Sequence, residues 1–268
     1  VKLKFPLMDA LHLEDKKTMA LANIDLISVR HIDEVEKDVN RLKKEFPEHI
    51  VIPSIMGAKK EDWQVLVKRL KDAGADMIEC SFSCPQGSMG EEPGKMLAQS
   101  PAATERVASW VKEAAGETPV MIKLTPQVTD ITEIANAVKK SGADAVVLIN
   151  SVKGLIGIDV YTFHPKPDVK GYSSYAGITG PAIKPIALRI VSEVAKKVNI
   201  PISAVGGISS WLDAVEFILV GAGTIQVGTA AMKYGFRIIN EFINGLKNYM
   251  EEIKINTLEE IRGKSLPY

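Results

Sequence analysis

With 268 residues, 46% of them hydrophobic, the chain can bury a deep core as one large domain, a size at which α/β barrels run as a single unit. Lys and Arg total 33, as do Asp and Glu, so the net charge is +0 and no basic block offers the electrostatic footprint of a nucleic-acid binder. Two cysteines, Cys80 and Cys84, are too few for a disulfide framework or a set of metal ligands, no apolar run approaches the roughly 18 residues of a membrane span, and no signal-peptide pattern opens the chain, so a cytoplasmic setting without membrane contact is expected.

In chain order, short β-branched runs at residues 50–56, 77–82, 119–124, 145–150, 201–205 and 224–227 predict buried strands. Between them, residues 61–72, 102–115, 131–140, 182–198 and 211–220 carry apolar residues at helical spacing. Three helix exits share one design, a glycine just past the last turn: Gly74, Gly142 and Gly221. A left-handed glycine there turns the chain into the next strand. Alternation of strand and helix predicts a parallel sheet, and the lack of a GxGxxG turn favours a barrel over an open doubly wound sheet. Six strands are counted where a closed barrel needs eight, and the sequence opens on Val1 rather than methionine, so two barrel units are expected to be missing upstream. Two long loops, 85–101 and 151–180, have the composition of lids or substrate contacts at a barrel's active face.

Period-two alternation in the 77–82 run puts Glu79, Ser81 and Ser83 on one face and Cys80 and Phe82 on the other. A buried Glu79 needs a partner, and Lys123, embedded in an apolar run, is the cation at matching depth. That pair reads either as a structural ion pair or as a carboxylate supporting a cofactor-contacting lysine. Cys84, at the strand exit before Pro85, is a candidate general acid, because a thiol that titrates near 8.5 is mostly protonated at neutral pH; the alternative is an inert thiol beside a turn. Cys80 is assigned to packing. Asn150 and Ser151 end another strand as either ring contacts or turn caps. Gly206 and Gly207, and then Gly228 and Thr229, follow the last two strands, the loops where barrels commonly bind phosphate. His12, His31, His49 and His164 show no metal-ligand spacing and are assigned to the surface or to loops.

The order of Ser83-Cys84-Pro85, Lys123-Leu124-Thr125-Pro126, Asn150-Ser151 and the two glycine loops resembles the dihydropyrimidine dehydrogenase and dihydroorotate dehydrogenase family, with stretches 122–131 and 177–189 matching almost residue for residue. The resemblance implies a (β/α)8 TIM barrel of the dihydroorotate dehydrogenase type, an α/β fold with about six of its eight strands in this chain. Residues 1–268 would then be a single FMN-binding domain, incomplete at its N-terminus. It implies that FMN passes a hydride to one carbon of a pyrimidine double bond while Cys84 protonates its neighbour. Lys123, Gly180, Gly206, Gly207, Gly228 and Thr229 would bind the cofactor; Asn23, Asp25, Ser81, Asn150 and Ser151 would bind the substrate; no metal is implied. The family usually has asparagine where Ser81 stands, histidine where Gln86 stands, a longer acid where Asp25 stands and threonine where Ser151 stands. A pocket roomier than one for uracil or thymine is therefore expected. Residues 1–22 match the family poorly and read either as a β-hairpin over the mouth or as a different connection.

Two cysteines cannot ligate the family's iron–sulfur clusters, so a partner or further domain carrying iron–sulfur clusters or FAD is expected to supply electrons. An open barrel exposes strand edges, which predicts a homo-oligomer or larger complex, or an upstream segment over the gap. Two other readings remain beside the oxidoreductase: a flavin-free lyase or synthase that uses the glycine loops for a phosphorylated substrate, and a non-catalytic scaffold subunit.

Overall fold

The structure is a computed structural model that describes residues 8–12, 18–24, 28, 30–84, 96–168, 171 and 175–267. Its elements in chain order are β1 (Met8–His12), β2 (Thr18–Asn23), α1 (Ile32–Glu45), β3 (Ser54–Ile55), α2 (Lys60–Asp72), β4 (Ile78–Ser81), α3 (Pro101–Ala115), β5 (Val120–Lys123), α4 (Ile131–Lys140) and β6 (Ala145–Leu148). There follow β7 (Val152–Gly154), β8 (Gly157–Ile158), β9 (Pro165–Lys166), β10 (Ala176–Thr179), α5 (Lys184–Lys197), β11 (Ile202–Ala204), α6 (Trp211–Leu219), β12 (Thr224–Ile225), α7 (Thr229–Tyr234) and α8 (Ile238–Glu252). Six of these strands, β3, β4, β5, β6, β11 and β12, are the six expected from the sequence. The chain divides into two compact units, one of Val1–Asp25, Leu148–Lys196 and Ile202–Tyr268, the other of Leu26–Val147 and Lys197–Pro201.

In the second unit β3, β4, β5 and β6 lie side by side in chain order, all parallel. Helices α2, α3 and α4 cover them, and their apolar stripes explain why: Trp63, Val67 and Leu70, then Val107 and Val111, then Ile134 and Val138 are all buried. The helix starts are set locally. Ser100 caps α3, accepting from Ala103 N–H at 3.3 Å ahead of Pro101 at the first helical position, and Asp130 caps α4, accepting from Thr132 N–H at 2.8 Å. Gly74 and Gly142 leave α2 and α4 with φ of +98° and +83°, the left-handed turn expected of them. Strand β3 is shorter than the apolar run 50–56. Pro53 has no N–H, the Val51 N–H is taken at 2.7 Å by the Asp76 carboxylate rather than by a neighbouring strand, and Ile50 and Ile52 stay exposed.

The first unit pairs β1 with β2, β2 with β10 and β10 with β7, all antiparallel. Residues 1–22 thus include one arm of a β-hairpin and most of the other, and the stretch 151–180 is no plain loop: β10 is a central strand of this sheet, and β8 and β9 form a second hairpin. His12, assigned to the surface or a loop, lies in β1, while His31, His49 and His164 lie exposed outside the strands. Strands β11 and β12 run parallel, and helix α8 packs over α6 with Trp211 filling the place where Gly245 lacks a side chain. Gly221, at φ +108°, could not be another residue, since a Cβ there would come within 2.5 Å of the Ala195 Cβ. Among the described residues no helix is long and apolar enough to cross a membrane.

Candidate active site

In the second unit the chemistry gathers at the C-terminal ends of β4 and β5. Alternation along β4 sends Cys80 and Phe82 into the core, where the Phe82 ring meets Trp63 edge-on at 5.3 Å. Burial, with the Glu79 charge beside it, pushes the Cys80 thiol well above its ordinary range, in keeping with a packing role. On the other face, Glu79 is opposite Ser54 on one side and Met121 on the other, while Ser81 is opposite Lys123. The Lys123 ammonium lies 3.5 Å from Glu79 Oε1, and the Ser54 hydroxyl donates to the same oxygen at 3.3 Å. The expected pairing of Glu79 with Lys123 therefore forms, and Ser54 joins it; a serine in an apolar run gave no hint of this at the level of sequence. At the strand exit, Cys84 Sγ is 3.4 Å from Ser81 Oγ. Carboxylate, ammonium, hydroxyl and thiol thus occupy one strand end. Gln86 lies outside the described residues.

Removing one member of a buried pair costs more than the pair contributes. Lys123→Met leaves the Glu79 carboxylate, 10% exposed at its side chain, without its cation, and is expected to lower stability by about 3 kcal/mol. The double variant Lys123→Met with Glu79→Gln should recover much of that loss in urea unfolding. With Glu79→Gln alone also measured, a double variant whose loss equals the sum of the two single losses would show that the two side chains are not coupled.

In the first unit the other candidates fall into three groups. Asn23, at the end of β2, is opposite Gly177 of β10, and a side chain at Gly177 would overlap the Ser151 hydroxyl. Only a glycine there leaves room for the Ser151 hydroxyl beside the Asn23 backbone. Asn150 is next to them, its Oδ1 accepting from Ser151 N–H at 2.8 Å. The second group is Gly180 and Thr229: Gly180, at φ +93°, packs on the backbone of Met19 and Ala20, and its missing Cβ would lie 3.6 Å from Thr229 Cγ2. Gly228 precedes Thr229 at the start of α7, and nothing stands within 4 Å of where its side chain would begin. The third group, Gly206 and Gly207, has φ of +135° and +78° and lies against the start of α5, with Ala187 Cβ at 2.8 Å and Lys184 N at 2.7 Å from their missing Cβ positions. Glycine is required there by close approach to a helix, whatever ligand the N–H groups meet. Asp25 lies outside the described residues.

The turn that carries Gly206 and Gly207 is fastened by Asp213, a residue with no mark in the sequence. Its Oδ2 accepts from the N–H of Ser209 at 2.8 Å and of Ser210 at 2.9 Å, and from both serine hydroxyls at 3.0 Å, while Oδ1 meets Lys184 Nζ at 2.6 Å. Burial disfavours the carboxylate, but these five donors outweigh it and hold Asp213 below the usual range. Lys184 is treated likewise: burial would lower it, and Asp213 and Glu216 together raise it.

The dihydroorotate dehydrogenase family pattern matches residues 27–250. The NAD-dependent dihydropyrimidine dehydrogenase subunit PreA of Escherichia coli K12 is 39% identical over 265 residues, 96% of this chain and 63% of that protein. The chloroplastic dihydropyrimidine dehydrogenase (NADP(+)) of Arabidopsis thaliana is 38% identical over 92% of this chain and 59% of its own length. The dihydroorotate dehydrogenase B (NAD(+)) catalytic subunit of Alkaliphilus metalliredigens is 42% identical over 87% of this chain and 73% of its own length. The chain therefore spans about three fifths of the dihydropyrimidine dehydrogenases it matches. It belongs to the dihydroorotate dehydrogenase family.

Proposed function

We propose that this chain is the FMN-binding catalytic domain of an oxidoreductase that reduces the C=C bond of a pyrimidine-like ring, or oxidises the dihydro form. The observation that supports it most is the strand end of β4, where the Cys84 thiol sits beside Ser81, and Ser81 is opposite a lysine tied to a buried carboxylate. The residues present fit a flavin mononucleotide. The open flank at Gly228, beside Thr229 and Gly180, leaves backbone N–H groups for a phosphate, Gly206 and Gly207 add a second tight turn, and Lys123 offers a cation for the flavin ring. FMN, when bound, supplies the two-electron chemistry.

The remaining work falls to the chain itself. Cys84 holds a proton at Sγ for the ring carbon, and a reducing, cytoplasmic setting keeps it a thiol. Ser151 presents its hydroxyl beside Gly177, and Asn23 and Asn150 offer amide groups of the kind that suits the edge of a heterocycle. Asp25 and Ser81 would join them as substrate contacts. Relatives named as a subunit PreA and as a catalytic subunit support a partner that delivers electrons from a nicotinamide, through iron–sulfur clusters or FAD, within a larger complex or homo-oligomer.

The test is reconstitution of the full-length protein with FMN, followed by absorbance and by turnover of uracil, thymine and bulkier ring analogues. About one FMN per chain and consumption of a pyrimidine or its dihydro form are expected. A protein that binds no flavin after reconstitution sinks the reading.

A further inference from the structure

The Ser81 hydroxyl meets the reactive sulfur directly, its Oγ 3.4 Å from Cys84 Sγ. Both residues are only partly buried, whereas their neighbours Phe82 and Ser83 are buried, so the strand end exposes this pair and hides what lies between them. The geometry has a backbone cause. Ser81 is the last residue of β4, held by its register opposite Lys123, and the Phe82 N–H donates to Lys123 O at 3.2 Å, so Cys84 follows one turn later on a chain already anchored to β5.

We propose that Ser81 is a positioning residue for Cys84, its hydroxyl donating to the sulfur and stabilising the thiolate left after proton transfer. This rests on the functional reading above and deepens it. In ring reduction the S–H bond of Cys84 breaks, its proton forms the new C–H bond, and the bonding pair stays on sulfur; the hydride and its two electrons come from the reduced flavin. Water then returns a proton to the sulfur. The Ser81 hydroxyl donates to a sulfur lone pair, which leaves the single S–H proton free to point at the ring carbon, and it goes on donating to S⁻ after the transfer. Hydrogen bonds to a charged group are the stronger kind, so the contact favours the product of the proton transfer over its reactant.

The test reads the sulfur directly. Cys84 is alkylated with iodoacetamide at fixed pH in wild type, Ser81→Ala and Ser81→Thr, and the modified peptide is quantified by mass spectrometry; Cys80, fully buried, is the internal control for unfolding. Loss of one charge-assisted hydrogen bond reduces the thiolate population by about tenfold. The more basic thiolate is the better nucleophile, so the alkylation rate of Ser81→Ala falls by about threefold. Ser81→Thr, which keeps the hydroxyl, restores the wild-type rate. In the FMN-loaded protein Ser81→Ala lowers kcat by more than it raises KM, and Ser81→Thr recovers kcat. Alkylation of Ser81→Ala at or above the wild-type rate, or failure of threonine to rescue, overturns the proposal. Alkylation as expected in a wild type that turns over no pyrimidine leaves the Ser81–Cys84 coupling standing and overturns the functional reading instead.

Discussion

Cys84→Ala lowers the rate of ring reduction by about 10²–10⁴-fold, with FMN still bound and KM little changed. The size is that of a positioned general acid, since hydride addition to one ring carbon is productive only if a proton reaches its neighbour. KM is spared because a thiol makes no strong contact to a neutral ring, while Asn23, Asn150 and Ser151 carry ring binding in this reading. Cys84→Ser recovers little of the loss, because an aliphatic hydroxyl is a far weaker acid than a thiol. Cys80→Ala supplies the contrast: its side chain is completely buried in the core, so that change lowers stability and leaves turnover per folded molecule intact. Steady-state kinetics on purified, flavin-saturated variants decide the matter. A Cys84→Ala enzyme within a few-fold of wild type would place the proton donor elsewhere, with water the first alternative.

The parallel strands and their helices were legible because each has a one-sided or fully apolar pattern, and three of the helices exit through a glycine turn; residues 131–140 even coincide with α4, whose Asp130 cap and buried Ile131, Ile134 and Val138 leave no ambiguity. Helix α1 escaped because only Val39 of its fourteen residues is buried. Its real signature is electrostatic, with Asp33 and Glu34 in the first turn and Lys43 and Lys44 in the last, aligned with the helix dipole. The antiparallel strands in 151–180 escaped for another reason. Ala-Gly-Ile-Thr in β10 has little β character alone and becomes a strand by lying between β2 and β7. In the site, Glu79 with Lys123 was legible because a charge in an apolar run must find a partner at the same depth. Ser54 and the Ser81 contact to Cys84 were not, since a serine carries no sequence signal of which neighbour its hydroxyl meets. Asp213 was hidden for the same reason: in sequence it is one acid in an amphipathic helix, and only the fold turns it toward Ser209, Ser210 and Lys184.

Asp213→Ala should be among the most damaging changes outside the proton donor. It strips the acceptor from two backbone N–H groups, two hydroxyls and the Lys184 ammonium at once. Lys184 keeps Glu216 at 2.7 Å, so no cation is stranded, and the expected loss is about 3 kcal/mol rather than the upper end for a broken buried pair. For a chain of this size that is a fall in Tm of about 6–12 °C. The pH dependence identifies the cause. Asp213 is held below its unfolded value near 3.9, so its contribution is fully present above that pH and is lost as pH falls through the depressed folded value. The Tm gap between wild type and variant should therefore be flat from about pH 5 to 8 and narrow below about pH 4. Because the same carboxylate fastens the turn of Gly206 and Gly207, FMN affinity should fall with stability, and measuring it well below the variant's own Tm separates a loosened turn from an unfolded chain. A gap that stays constant down to pH 3 would mean that the side chain's packing, not its charge, secures the turn.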